Sequence, residues 1–147
     1  MTLRSLLFGS GATSRATDIG LLILRLGVGL TLAFAHGLGK LPVSDGFVDN
    51  VAGMGFPVPV VFAWAAALSE FLGGLLIAAG LLTRPAAAFV AFTMAVAFFV
   101  THGGALTGEG NGEMAFLYLV AALALAVAGA GRFSVDALIE RRPTTYA

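Results

Sequence analysis

Six side chains in this chain of 147 residues have the types and spacing to do chemistry: Arg25, His36, Lys40, Glu70, His102 and Glu113. Arg25 and His36 lie eleven residues apart. At about 100° per residue that is close to three full helical turns, so a helix sets both on one stripe. Lys40 follows one turn later, and the register Arg25, Gly29, Leu32, His36, Lys40 predicts a polar edge turned into a bundle. Glu70 stands in the middle of an apolar run whose face also carries Ala63, Ala66, Ala67, Gly73 and Gly74. Such small residues admit a second backbone. A carboxylate at that depth needs a partner, and Arg25 is the basic side chain at comparable depth. An Arg25–Glu70 pair is therefore expected, either as a pin holding two helices in register or as a proton-relay or ligand-binding carboxylate.

The other polar residues, His36, Lys40, His102 and Glu113, fall near one level at the far end of the same spans. Two histidines, an ammonium and a carboxylate around an apolar mouth suit hydrogen bonding to the carbonyl oxygens of a quinone, or binding of an anion. Histidines on two helices are also the ligand types of a b-type haem, and with Glu113 those of a zinc site. The spacing adds nothing to favour either, and no metal is expected. Glu113 at a helix start equally well complements the helix dipole, and for either histidine alone a satisfied place at the membrane interface is the commonest explanation. There is no cysteine, hence no disulfide, thiol relay, thiolate metal site or c-type haem attachment. The sequence contains no phosphate-binding glycine loop and no nucleophile–base motif.

These residues are carried by a chain that water could not hold. Hydrophobic residues make up 59% and charged residues 11%, with a mean hydropathy of +0.96. Typical soluble domains run at about 45–50% and about 25%, and a small domain leaves much of its surface exposed. The chain therefore reads as an integral membrane protein, in contact with lipid. Eight basic and eight acidic residues cancel, which excludes a polybasic nucleic-acid binder. Four apolar spans are predicted, at 19–38, 58–82, 86–100 and 114–130, forming a single all-α domain, a four-helix transmembrane bundle. Their starts carry Ser14 and Asp18, the Pro57/Pro59 pair, and Pro85; oxygen acceptors cap free N–H groups, and proline suits a first turn. At 1.5 Å per residue the spans reach roughly 22–37 Å against a hydrocarbon core of about 30 Å. The third and fourth are short. The stripe Phe89, Phe92, Val96, Phe99 reads as lipid-facing or core packing, Trp64 as an interfacial anchor, and Ala122, Ala126, Ala130 as a ridge for close packing within the bundle or between copies.

Charge orients the spans. Arg4, Arg15, Arg84, Arg132, Arg141 and Arg142 fall on the side of both termini, whereas Lys40 stands opposite with Asp45, Asp49, Glu109 and Glu113. Basic residues are retained inside. Both termini are thus expected in the cytoplasm, with the 41–56 and 103–112 loops outside. Leu6-Leu7-Phe8 is too short for a signal-peptide core and reads as a surface arm. The tail 131–147 turns at Ser134, a candidate N-cap, and brings Arg141 and Arg142 to anionic headgroups.

The ordered set Leu24-Arg25-Leu26-Gly27, His36-Gly37-Leu38-Gly39-Lys40-Leu41, Gly55-Phe56-Pro57, Glu70-Phe71-Leu72-Gly73-Gly74, Gly80-Leu81-Leu82-Thr83-Arg84, His102, Glu113 and Gly129-Ala130-Gly131-Arg132-Phe133-Ser134-Val135-Asp136 resembles the DoxX family of small membrane proteins. The resemblance spans about residues 19–136. It implies a four-helix membrane bundle in the inner membrane, and a shared pocket lined by Arg25, His36, Lys40, Glu70, His102 and Glu113, which match the family's polar positions. It also implies association with quinone-linked membrane oxidoreductase complexes, some with sulfurtransferase or superoxide-detoxifying partners. Neither outer loop supplies a catalytic module, so chemistry would require a partner protein subunit. Three functions follow: a quinone-associated oxidoreductase subunit, a non-enzymatic anchor or assembly subunit acting with a partner or as a homo-oligomer, and a small-molecule or proton carrier using Glu70. Four spans without an inverted repeat or broken helix weigh against the carrier.

Overall fold

The computed structural model describes residues 14–140, which form helices and connecting turns only. Helix α1 (Arg15–Thr31) opens on Ser14, whose hydroxyl accepts from the Thr17 N–H. It runs on as a π-helical turn, Leu32–Gly37, and a 3₁₀ turn, Leu38–Lys40. After a short α2 (Asp45–Gly53) come α3 (Pro59–Ala79) and α4 (Thr83–Val96), which continues as a π turn over Ala97–Thr101. α5 (Glu113–Ala128) and the short α6 (Val135–Glu140) complete the described chain. α1 with its continuation, α3, and α4 with its continuation are long and apolar enough to cross a membrane. The 16 residues of α5 reach only about 24 Å. The expectations placed on Arg4, the Leu6–Phe8 arm, Arg141 and Arg142 lie outside the described residues.

Two readings of local structure are corrected. The 41–56 segment, expected as a loop, holds α2, because the Ser44 hydroxyl accepts from the Phe47 N–H and Asp45 sits in the first turn. The third predicted span, α4, begins at Thr83 rather than Ala86. Its start is moved forward by the Asp136 carboxylate, which accepts from the N–H groups of Leu82 (2.7 Å) and Thr83 (2.9 Å) and so completes the helix terminus from outside.

α1, α3, α4 and α5 pack in a ring, each beside its neighbour in the chain, and α5 closes on α1. The core is built of Leu32, Ile77, Val90, Met94, Leu119 and Leu125 with interleaved alanines. In lipid, apolar burial does not drive helices together, so close backbone approach and hydrogen bonds must do it. The α1–α3 crossing shows how. A Cβ added at Gly29 would lie 2.5 Å from the Gly74 carbonyl oxygen, and one at Gly74 would lie 2.7 Å from that of Gly29. Farther along α1, Gly37 abuts the backbone of Glu70 and Phe71. The antiparallel pair therefore seats Gly29, Ala33 and Gly37 against Ala78, Gly74 and Glu70.

That contact line also overturns the expected stripe. The π turn adds a residue per turn between Leu32 and Gly37, so buried positions pass from Leu32 and Ala33 to Gly37, and His36 is carried out to an exposed face. α1 also stops early. Its continuation ends three residues after Gly37, while α3 runs eleven residues past Glu70 to Pro59, about 16 Å further. α2 packs against this outlying length of α3.

At the other end of the bundle, which carries the start of α1, the 129–137 segment ties the helices together. Arg25 is fully buried and donates to the carbonyls of Ile77 (3.4 Å), Ala78 (3.3 Å) and Phe133 (2.5 Å). Gly80 lies under it with φ +69°, where a Cβ would strike the Arg25 guanidinium and Ser134. The Asp136 N–H donates to the Gly80 carbonyl, and buried Asp18 accepts from the Arg132 N–H at 2.9 Å. Ser134 caps α6 by accepting from the Ala137 N–H.

Candidate functional site

Glu70 is the one acidic residue in α3, and its side chain is only 3% exposed. Both of its carboxylate oxygens accept from the ammonium of Lys40, whose side chain is 33% exposed. The expected Arg25–Glu70 pair does not form. Antiparallel packing puts Glu70 level with Gly37, twelve residues beyond Arg25, and Arg25 level with the last turn of α3. The 3₁₀ turn brings the end of α1 round so that Lys40 reaches back to the carboxylate. A buried carboxylate without such a partner would be costly, and Phe47 of α2 adds an aromatic face 5.6 Å from the ammonium.

The pair forms part of the wall of a cavity of about 710 Å³ between α3 and α4, covered by α2. This volume lies within the range of small-molecule sites, about 300–1,000 Å³. Its walls are mainly apolar: Phe56 and Phe62 on one side, Phe89, Phe92 and Val96 on the other. The phenylalanine stripe of α4 thus lines a cavity as well as facing outward, since Phe89 and Phe92 are 71% and 60% exposed. Part of the cavity wall therefore reaches the exposed apolar face of α4.

His102 marks the other polar end. Its Nδ1 lies 2.7 Å from the Gly110 carbonyl oxygen. A carbonyl only accepts, so Nδ1 carries a proton and donates it to Gly110. The hydrogen bond from Thr93 to Ser69 (3.0 Å) sets the register of α4 on α3. His102 lies nine residues beyond Thr93, roughly 13 Å along the axis. A single ring does not span that distance. An elongated molecule does.

Of the six residues singled out by type and spacing, Lys40, Glu70 and His102 come together around one cavity. Arg25 belongs to the knot at the opposite end. His36 is exposed and packs edge to face on Tyr118 of α5 at 5.4 Å. Glu113 is exposed in the first turn of α5, where Asn111 accepts from its N–H. His36, His102 and Glu113 do not converge, and among the described residues no three His, Asp or Glu side chains do. Asn50, Phe47 and Met54 of the α2 region also line the cavity. Their signal in the sequence was the Ser44 cap followed by apolar residues at 47, 48, 51 and 54.

The DoxX family model matches residues 20–103. Over 92% of the chain, it is 32% identical to the inner membrane protein YphA of Escherichia coli, covering 97% of that protein. The E. coli inner membrane protein YqjF is 33% identical over 85% of the chain and 95% of its own length. A Bacillus subtilis protein named "Putative oxidoreductase CatD" is 29% identical over 86% of the chain and 91% of its own length. No solved structure gives a significant match.

Proposed function

The chain belongs to the DoxX family, and from that premise we propose that this multi-pass inner membrane protein is a quinone-binding subunit of a membrane oxidoreductase complex. The observation that carries this reading is the mainly apolar cavity with a buried, ion-paired carboxylate in its wall and the exposed Phe89 and Phe92 along it. Such a cavity suits a ligand that arrives through the bilayer with one polar head and a long apolar tail. A quinone has that form, and when bound it supplies two-electron redox chemistry. The head group docks beside Lys40 and Glu70. Lys40 can turn a third N–H towards a carbonyl oxygen while its other two stay on Glu70. The tail leaves past Phe89 and Phe92 into lipid. Electrons come from a partner chain, because the sequence has no redox-active side chain beyond its aromatics. The oxidoreductase name of the B. subtilis relative supports a redox setting.

The test is the quinone content of protein purified in mild detergent, measured by mass spectrometry of the extracted lipid. Wild type is expected to retain close to one quinone per chain. Ala66→Trp, which fills the cavity from α3, and Lys40→Met are expected to fall to background, with His36→Ala unchanged. Background quinone in wild type, or equal retention by Ala66→Trp, would overturn the proposal.

A further inference from the structure

At the termini end of the bundle, far from the Lys40–Glu70 cavity, lies a second recess of about 690 Å³ with a different character. Arg15, in the first turn of α1, and Arg132 stand at its walls, with Ala79 at the end of α3 and Phe133 and Leu138 beside them. Both arginines are exposed, and so are Phe133 (46%) and Leu138 (63%). We propose that this recess binds the headgroup of an anionic phospholipid, with Arg15 and Arg132 on the phosphate and Phe133 and Leu138 against the upper acyl chains.

Three observations support this. First, the loop that presents Arg132 is fixed before any ligand arrives. Asp18 accepts from the Arg132 N–H at 2.9 Å, and the Ser134 hydroxyl donates to the Gly131 carbonyl at 2.6 Å. Gly131 itself has φ +74° and packs on Asp18 and Leu21. Second, the fixed loop sets a cation and an aromatic residue next to each other, Arg132 and Phe133, on a recess that Arg15 also lines. Asp18 also lines the recess, and its carboxylate is buried and accepts from the Arg132 N–H, so two exposed guanidiniums face one buried carboxylate and the lining stays net positive. Third, the recess lies where the apolar spans end, at Arg15 and Ala79. A phosphodiester and the first carbons of its acyl chains meet the protein at that depth. Guanidinium groups bind phosphate through paired N–H donors, and basic residues near an anionic leaflet each strengthen binding appreciably. A free phosphate would use the arginines but leave Phe133 and Leu138 bare.

The experiment uses the full chain, returned after delipidation to mixed phosphatidylcholine and phosphatidylglycerol and examined by native mass spectrometry. Wild type is expected to retain phosphatidylglycerol over phosphatidylcholine by roughly tenfold or more, and Arg15→Ala/Arg132→Ala to lose that preference. The single variants, each expected to lose about threefold, carry the test if the double variant does not fold. Equal retention of the two lipids by wild type, or an unchanged preference in the arginine variants, overturns the proposal. So does displacement of the lipid by millimolar glycerol phosphate, which would identify a soluble phosphate ester as the occupant.

Discussion

Lys40 holds both oxygens of Glu70 while remaining partly open to the cavity, so the two members of the pair carry different risks. Removing the lysine strands a carboxylate that is 3% exposed; removing both charges strands nothing. Lys40→Met is therefore expected to destabilise the bundle by about 1–3 kcal/mol, and Lys40→Met/Glu70→Leu to recover most of that loss. Thermal unfolding in detergent of the two variants and wild type checks the order. A double variant no more stable than the single one would show that the pair is not what the lysine supplies. That Glu70 needs a partner is legible from its place in an apolar run. Which partner it takes is not, because depth in a bundle is set by where helices cross, and the Gly29–Gly74 and Gly37–Phe71 contacts that set it are made between elements.

Helix α1 offers a matched pair of glycines that separates helix propensity from packing. A Cβ at Gly27 would meet nothing within 4 Å, whereas one at Gly29 would enter the backbone of Gly74 and Ala78. Gly27→Ala is expected to be neutral or to stabilise by up to about 1 kcal/mol. Gly29→Ala, two residues on, is expected to cost roughly 2 kcal/mol or more as the two helices are pried apart. Thermal unfolding of both variants in detergent reads the contrast, and equal effects would argue against close α1–α3 contact. The helices that form the ring could be read from runs of apolar residues and their turn residues. α2 could not be placed so easily: nine residues with two aspartates resemble a polar connection until Ser44 is recognised as a cap. The π turn had no visible signal either, and it alone takes His36 off the stripe it shares with Arg25 on an ideal helix.

On the scale of the whole molecule, the membrane character follows from composition, since 59% hydrophobic residues are more than a soluble domain of this size could hide, and the length of the apolar runs points to helices. The cavity was hidden from that reasoning. Its lining comes from four helical elements and consists largely of phenylalanine, alanine and valine, residues that look the same along a chain whether they face a ligand, a neighbour or lipid. Sidedness, predicted from arginine placement, has a direct check because the chain lacks cysteine. Exposed Thr107 and exposed Ala16 lie at opposite ends of the bundle. Thr107→Cys is expected to react with an impermeant maleimide in intact cells, and Ala16→Cys only after the membrane is opened; the reverse pattern would invert the topology.

The knot around Arg25 has a consequence for how the protein comes into being. The guanidinium enters the membrane with α1, but its carbonyl partners belong to Ile77, Ala78 and Phe133, and the Asp136 carboxylate that seats the start of α4 comes later still. During synthesis, the buried guanidinium of α1 and the N–H groups at the start of α4 therefore wait for Phe133 and Asp136 before their hydrogen bonds are complete. Insertion of the helices and closure of this knot are in this way separate events, and the second is complete only once residues 133–136 have been made.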